Sequence, residues 1–318
     1  MKFTITATAA LAALSNVAAQ RPTNTSICDY YTSALLMDNT AENQYTLLKL
    51  IVNTVAIGNY TTPNMNAVPG ILAPGKVNGT AVNLMPFFTG MAGRTTNRNG
   101  TATAGVNFLD GGGAAPLMNN TLPTAGSNQY TLVTHLYQYF GYLLGCSMQG
   151  TQAFASYGGR TSQYTVHKYM DITHAQNTWF IQQVGLAAQS FGVASADVTA
   201  VGTALDQTFN YRCSKNASVP STAPAAAQAI CIANDCPLAV NSSCAAYVQT
   251  QAAGVGPNGT VVNAGNVSLA SSASSASGSA RASGAAGGGT GTSTTSSAAK
   301  NVIVGSFVGA AAFAAALI

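Results

Sequence analysis

TLVTHLYQYFGYLLGC, residues 131–146, is the stretch on which the fold class turns. Leu132, Leu136, Tyr139, Phe140, Leu143 and Leu144 recur at i, i+4, i+7 and i+8, the spacing that lays side chains along one face of an α-helix, and Gly145 stops the run. Three further segments carry the same period. Glu42 to Ile57 holds Leu47, Leu48, Ile51, Val52 and Val55, with a start expected at Asn39 or Thr40. Phe180, Val184, Ala187, Ala188 and Phe191 form another stripe, ending at Gly192, and Val198, Val201, Leu205 and Phe209 form the last, with Ser195 as its expected N-cap. The alternating runs of an all-β domain are missing, so the expected class is all-α. Residues 59–127 differ: they are rich in Gly, Pro and Asn, include Gly111-Gly112-Gly113, and predict a long irregular connection with one helical turn near Leu84 to Phe88.

Outward from this body the chain changes character. Residues 1–20 carry one lysine, a short apolar core from Thr4 to Leu14 and an Ala-rich exit, the layout of a secretory signal peptide cleaved near Ala19 or Gln20. The apolar core is shorter than the ~20 residues a membrane span takes. From about Gln251 to residue 300 the composition collapses to Ser, Thr, Ala and Gly, too few large apolar groups to offset chain entropy, which predicts a disordered, O-glycosylated stalk. Gly284, Gly287, Gly288 and Gly289 lie in a run of small residues, a polar spacer follows from Thr290 to Asn301, and residues 302–318 are apolar or small without charge. That order predicts attachment of a glycosylphosphatidylinositol (GPI) lipid within residues 284–289 and removal of the residues beyond the attachment site, the spacer and the 301–318 signal tail included. The expected location is the outer cell surface, with the helical domain spanning residues 21–250.

Nine N-x-S/T sequons, at Asn24, Asn59, Asn78, Asn99, Asn119, Asn216, Asn241, Asn258 and Asn266, are candidate glycan acceptors on surface loops. Charged residues make up 6% of the chain against roughly 25% on average, so glycans must replace charge as the solubilising surface. Without Lys2 and Lys300, ten basic residues face eight acidic ones, and there is no basic run, which argues against nucleic-acid binding. Six cysteines, Cys28, Cys146, Cys213, Cys231, Cys236 and Cys244, predict three disulfides in an oxidising compartment, with fifteen pairings open. Their spacing fits no common zinc pattern.

No HExxH, GxSxG, phosphate-loop or paired-carboxylate pattern occurs, and no enzyme class is assigned. The chemistry-bearing residues that remain are His135, His167 and His174. They stand in a series: Leu84-Met85-Pro86-Phe87-Phe88-Thr89-Gly90; the helix ending Leu143-Leu144-Gly145-Cys146; Tyr157-Gly158-Gly159-Arg160; Val166-His167; Asp171-Ile172-Thr173-His174; and Gly192-Val193 before a final helix.

This series resembles the truncated haemoglobins, which have an apolar-Phe-Phe turn, a helix ending in Ala/Leu-Gly-Gly, a Tyr-Thr-Gly turn and a histidine in a Met-x-x-(Val/Ala)-His context. Gln163 stands here at the methionine position. The resemblance covers about Thr46 to Tyr211, with an insertion between Phe88 and Leu132. It implies a globin-like domain that binds haem, with His167 as the proximal iron ligand and Phe88 packed on the porphyrin. It places Leu132 and Leu136 on the distal face with Tyr139 and Phe140 behind them. Ile51 falls where many members carry a tyrosine, and Leu136 where they often carry glutamine, which implies an apolar distal pocket without a hydrogen-bond donor. The implied roles are handling a small gaseous ligand or peroxide, or relaying haem, at the cell surface. The alternative is a cofactor-free structural or adhesive wall glycoprotein, a disulfide-tied bundle in which His167 is a structural histidine.

Overall fold

A computed structural model of the protein describes residues 21–93, 95 and 105–247, with the strand residues 254–255 and 261–262. The signal segment, the attachment glycines and the 302–318 tail lie outside the described residues, as do Asn99, Asn258 and Asn266. The fold is mostly helical. In chain order come α1 (Ile27–Leu36), α2 (Ala41–Ile57), the hairpin β1 (Gly75–Val77) and β2 (Thr80–Val82), then α3 (Met85–Thr89) and α4 (Ala114–Met118). After them run α5 (Asn128–Leu144), α6 (Gln163–His167), α7 (His174–Ser190) and α8 (Ser195–Phe209). Among the described residues, no helix is long and apolar enough to cross a membrane.

Local chemistry sets the helix ends. Thr40 accepts from the Asn43 amide to start α2, and Ser127 accepts from the Tyr130 amide to start α5. Thr173 and Gln176 close a reciprocal capping box on α7. Each such cap contributes about 1 kcal/mol. At the far end of α5, Gly145 takes φ 73° and ψ 43°, the left-handed turn that glycine adopts without a Cβ clash. The stripes near Leu47, Leu132 and Phe180 therefore lie on helices with the expected ends, though α5 and α7 begin earlier than their stripes. Ser195 is not the α8 cap: the cap position is Ala194, with no side-chain bond, and Ser195 is the first helical residue.

Two elements in the 59–127 connection depart from the expected irregular chain. Asn78 and Gly79 both have positive φ, 48° and 85°, the backbone of a two-residue hairpin turn, so β1 and β2 pair antiparallel with Val77 opposite Thr80. The Asn-Gly dipeptide between Val77 and Val82 was the available signal. The expected helical turn falls at α3, and α4 is a second one. In the segment expected to be a disordered stalk, the described residues 254–255 and 261–262 pair as two short strands.

Helix α2 lies at the centre, packed against α1, α4, α5 and α7, while α7 also packs on α8 and on the hairpin. Gly75 lets the hairpin sit on the indole of Trp179: a Cβ there would stand 2.3 Å from Cη2. Gly141 does the same for the 146–155 turn, since a Cβ would stand 2.6 Å from Cζ of Phe154.

All six cysteines are paired: Cys28–Cys146, Cys213–Cys244 and Cys231–Cys236. The Cys213–Cys244 bridge ties the C-terminal segment to the body just after α8. Cys28–Cys146 joins α1 to the end of α5 across 118 residues of sequence, with both side chains buried. Closing a loop of that length in the unfolded chain removes entropy worth about 4–5 kcal/mol in the chain-entropy description. The double variant Cys28→Ala/Cys146→Ala is expected to lose roughly 3–5 kcal/mol of stability in urea unfolding, with helix content kept in the native baseline. A loss below about 1 kcal/mol would show that tertiary packing of α1, not the covalent staple, holds this corner.

Candidate functional site

The amphipathic faces of α2, α5, α7 and α8 turn toward one another around a cavity of about 80 Å3. Leu48, Ile51 and Val52 of α2 form one wall, and Leu132, Leu136 and Phe140 of α5 the next. Val184 and Ala188 of α7 and Val198 and Val201 of α8 close the far side, and Phe88 of α3 reaches the lining from outside the bundle. A space of this size and composition stays dry and admits a small apolar molecule of a few heavy atoms.

The polar side chains at its margin are committed elsewhere. The Asn53 amide donates to the Leu117 carbonyl at 3.1 Å and its oxygen accepts from the Tyr137 hydroxyl at 2.6 Å. The Gln129 oxygen accepts from the amides of Gly111 and Gly113, both at 3.0 Å. Asp197 takes the Tyr31 hydroxyl on one oxygen at 2.8 Å and Nη2 of Arg21 on the other at 2.9 Å. The Tyr31 hydroxyl in turn accepts from the Ala194 amide, and burial, the largest influence, pushes that phenol far above its usual pKa. With these groups satisfied, the interior surface offered to a ligand is hydrocarbon.

Five of the residues that the family resemblance assigns to a pocket wall, Ile51, Phe88, Leu132, Leu136 and Phe140, are thus brought together at one cavity. Tyr139 and His167 are not in its lining. Tyr139 lies with Tyr157 and Phe209, ring centroids 5.3 and 6.3 Å away, and its hydroxyl bonds Gln228 Oε1 at 3.1 Å. On the helix, Tyr139 and Phe140 are adjacent, so the two side chains point about 100° apart. Their separation follows from that geometry.

His167 is the last residue of α6. Its Nδ1 is 2.7 Å from the Gln163 carbonyl one turn back, so Nδ1 carries the proton. Nε2 makes no hydrogen bond among the described residues. Burial lowers the imidazole pKa to about 4, and the Gln163 bond, a smaller influence, raises it. The ring is therefore a neutral base with a free Nε2 lone pair near neutral pH, the form in which imidazole binds a metal. The donor chemistry suits haem iron. The cavity does not: His167 is outside its wall, and about 80 Å3 does not admit a porphyrin.

The other histidines do not join His167. His135 stacks edge-on to Tyr157 at 5.8 Å, and His174 opens α7 with Nδ1 buried and unpartnered. No group of three or more His, Cys, Asp or Glu side chains is placed to hold a metal ion among the described residues. Sequence reasoning missed the Arg21–Asp197–Tyr31 cluster, whose first two members stand 176 residues apart and leave no local pattern. It also passed over Leu48, Val52 and Val184 as ordinary core.

Comparison with protein-family models, with curated proteins and with solved structures returns no match for this chain.

The His167 geometry has a pH consequence. Its pKa is about 4 in the folded protein against roughly 6.5 in the unfolded chain, so the unfolded state binds more protons between those values. The His167 contribution to stability is constant above pH ~6.5, falls as pH drops toward ~4, and costs about 3 kcal/mol at most. Urea unfolding from pH 7.5 to 4 is expected to show this fall, and His167→Gln to flatten that component. An unchanged slope in the variant would mean that His167 titrates normally.

Proposed function

We propose that the chain is a secreted, glycosylated, GPI-anchored cell-surface protein whose helical body binds a small apolar molecule, of the size of a dissolved gas, inside the α2/α5/α7/α8 bundle. The hydrocarbon-lined cavity carries this reading. Ligand pockets are concave and mostly apolar, and here the rim amides of Asn53 and Gln129 are bonded to backbone groups of neighbouring segments rather than left for a ligand. The order of helices and the Phe88 turn are compatible with the globin-type arrangement that the sequence series suggests. Secretion and lipid anchoring rest on the composition of residues 1–20 and 284–318. The test is xenon titration followed by methyl NMR. Saturable shifts are expected at Leu48, Ile51, Val52, Leu136 and Val184, and the filling variant Leu136→Phe should abolish them at a cost of roughly 1–3 kcal/mol. Shifts that are absent, or that persist in the filled variant, would remove the cavity as a ligand site.

A second reading, haem held by His167, is favoured by one specific observation: a neutral imidazole oriented through Nδ1 with Nε2 free. Bound haem would supply an iron centre for gas or peroxide chemistry. The protein's contribution is the ligand nitrogen, fixed by the Gln163 carbonyl. The ring's seat would lie outside the apolar cavity, whose lining does not include His167. Adding haem to the secreted body, residues 21–250, is expected on this reading to give a stoichiometric complex. Its reduced carbon monoxide spectrum should show a sharp Soret band that His167→Ala loses and His174→Ala keeps. No stoichiometric uptake, or equal behaviour of the two variants, leaves the cofactor-free apolar-ligand reading.

A further inference from the structure

Eight large apolar side chains stand exposed among the described residues, and four of them flank just two sequons. Met118 (57% exposed) and Leu122 (42%) lie one and three residues from Asn119. Val240 (84%) and Leu238 (54%) lie one and three residues from Asn241. Both asparagines are themselves exposed, as are Asn24, Asn59, Asn78 and Asn216. The neighbours of Asn24, Asn78 and Asn216 are different in kind: Thr23 and Thr25, the buried Val77 and Gly79, Lys215 and Ala217.

In a chain with so few charges, paired apolar side chains at the surface favour association, since little like-charge repulsion opposes it. Asn119 and Asn241 are built to present a substituent beside them. Asn119 caps α4, and its Nδ2 donates to the Ala115 carbonyl at 2.9 Å. An N-glycosylated amide keeps one N–H, so this bond can persist and aim the sugar. Asn241 sits at φ 57° in the loop that returns over Arg212 and Cys213, through Ala239 to the Arg212 carbonyl and Ser243 to the Cys213 carbonyl. Leu238 in that loop borders a pocket of about 230 Å3 lined also by Tyr164, Ile232 and Tyr247. The C–H faces of pyranose rings pack on such apolar groups, while their hydroxyls face water.

We propose that the N-linked oligosaccharides at Asn119 and Asn241 cover apolar surface, the first over Met118 and Leu122 and the second over Leu238 and Val240, and keep the protein monomeric at the cell surface. This rests on the reading of the chain as a secreted glycoprotein.

The test uses the full chain expressed in a glycosylating host, with site occupancy measured by peptide mass spectrometry. Thr121→Ala and Ser243→Ala delete these two sequons and leave the asparagines in place. Thr80→Ala and Ser218→Ala delete those at Asn78 and Asn216 as controls. Each of the first two variants is expected to raise hydrophobic-dye fluorescence several-fold and to increase light scattering, and the controls to leave both near wild type. Adding Met118→Gln and Leu122→Gln to Thr121→Ala should restore the wild-type signals, which a misfolded variant would not do. Occupied sites whose loss changes nothing, or a rise of equal size at all four positions, would overturn the covering role while leaving the glycoprotein reading intact. Unoccupied Asn119 and Asn241 in the wild-type protein would overturn both at these positions.

Discussion

Helix α2 is enclosed by α1, α4, α5 and α7, and the rest of the structure depends on its being buried without an unpaired polar group. It carries Gln44, Asn53 and Thr54 into the interior alongside Leu47, Leu48 and Ile51. An unpaired buried amide costs on the order of 1–3 kcal/mol, so each must find partners. Gln44 reaches Asp29 of α1 at 2.7 Å and accepts from the Met148 amide beyond α5 at 2.9 Å. Asn53 bridges the α4 carbonyl of Leu117 and Tyr137 of α5. Thr54 bonds back to the Leu50 carbonyl. The same amides that make α2 acceptable as a core helix thus fix where its neighbours stand.

A chain that is 6% charged has few ion pairs with which to specify its interior, and one salt bridge, Arg21–Asp197, is found among the described residues. Neutral amides and phenols take that role. Gln228 illustrates it: fully buried, it bonds the carbonyls of Thr161 and Ala217 and accepts from Tyr139, tying α5, the turn before α6 and the C-terminal segment together. Neutral groups carry a smaller desolvation cost than charges, and satisfied by one another they leave adjacent surfaces hydrocarbon. The cavity follows from this economy of charge. Its walls are apolar because the polar groups near it are bonded to backbone and side-chain partners in the surrounding protein, and it persists because α2 and α7 are held from several sides at once.

The candidate site was half legible. Ile51, Leu132, Leu136 and Phe140 belong to helical stripes, and stripes turn inward, so their convergence followed from periodicity. Phe88 arrived through the Pro86-Phe87-Phe88 turn, where α3 forms. His167 could not be placed in the same way. It sits on a helix of five residues, too short for a periodic face, and its surroundings depend on the path of 146–162 and of the segment after Cys213. The Tyr139, Tyr157 and Gln228 cluster on the other flank of α5 was equally invisible, because its members come from three separate parts of the chain.

Sequence by itself determined the four long helices α2, α5, α7 and α8 with most of their ends, and the exposure of the sequons in the described body, because each depends on side chains within a few residues of one another; α1, α4 and α6 were not read from it, and the α8 cap fell on Ala194 rather than Ser195. The Asn78-Gly79 hairpin belongs to the same class, although its signal went unused. Tertiary structure alone decided which cysteine meets which, that Arg21 meets Asp197, and that a hydrocarbon-lined space lies between α2 and α8 without His167 in its wall. Apart from the short Cys231–Cys236 bridge, those outcomes turn on contacts across 31 to 176 residues. Periodicity says that a helix face is buried; only the packing of all the faces together says against what.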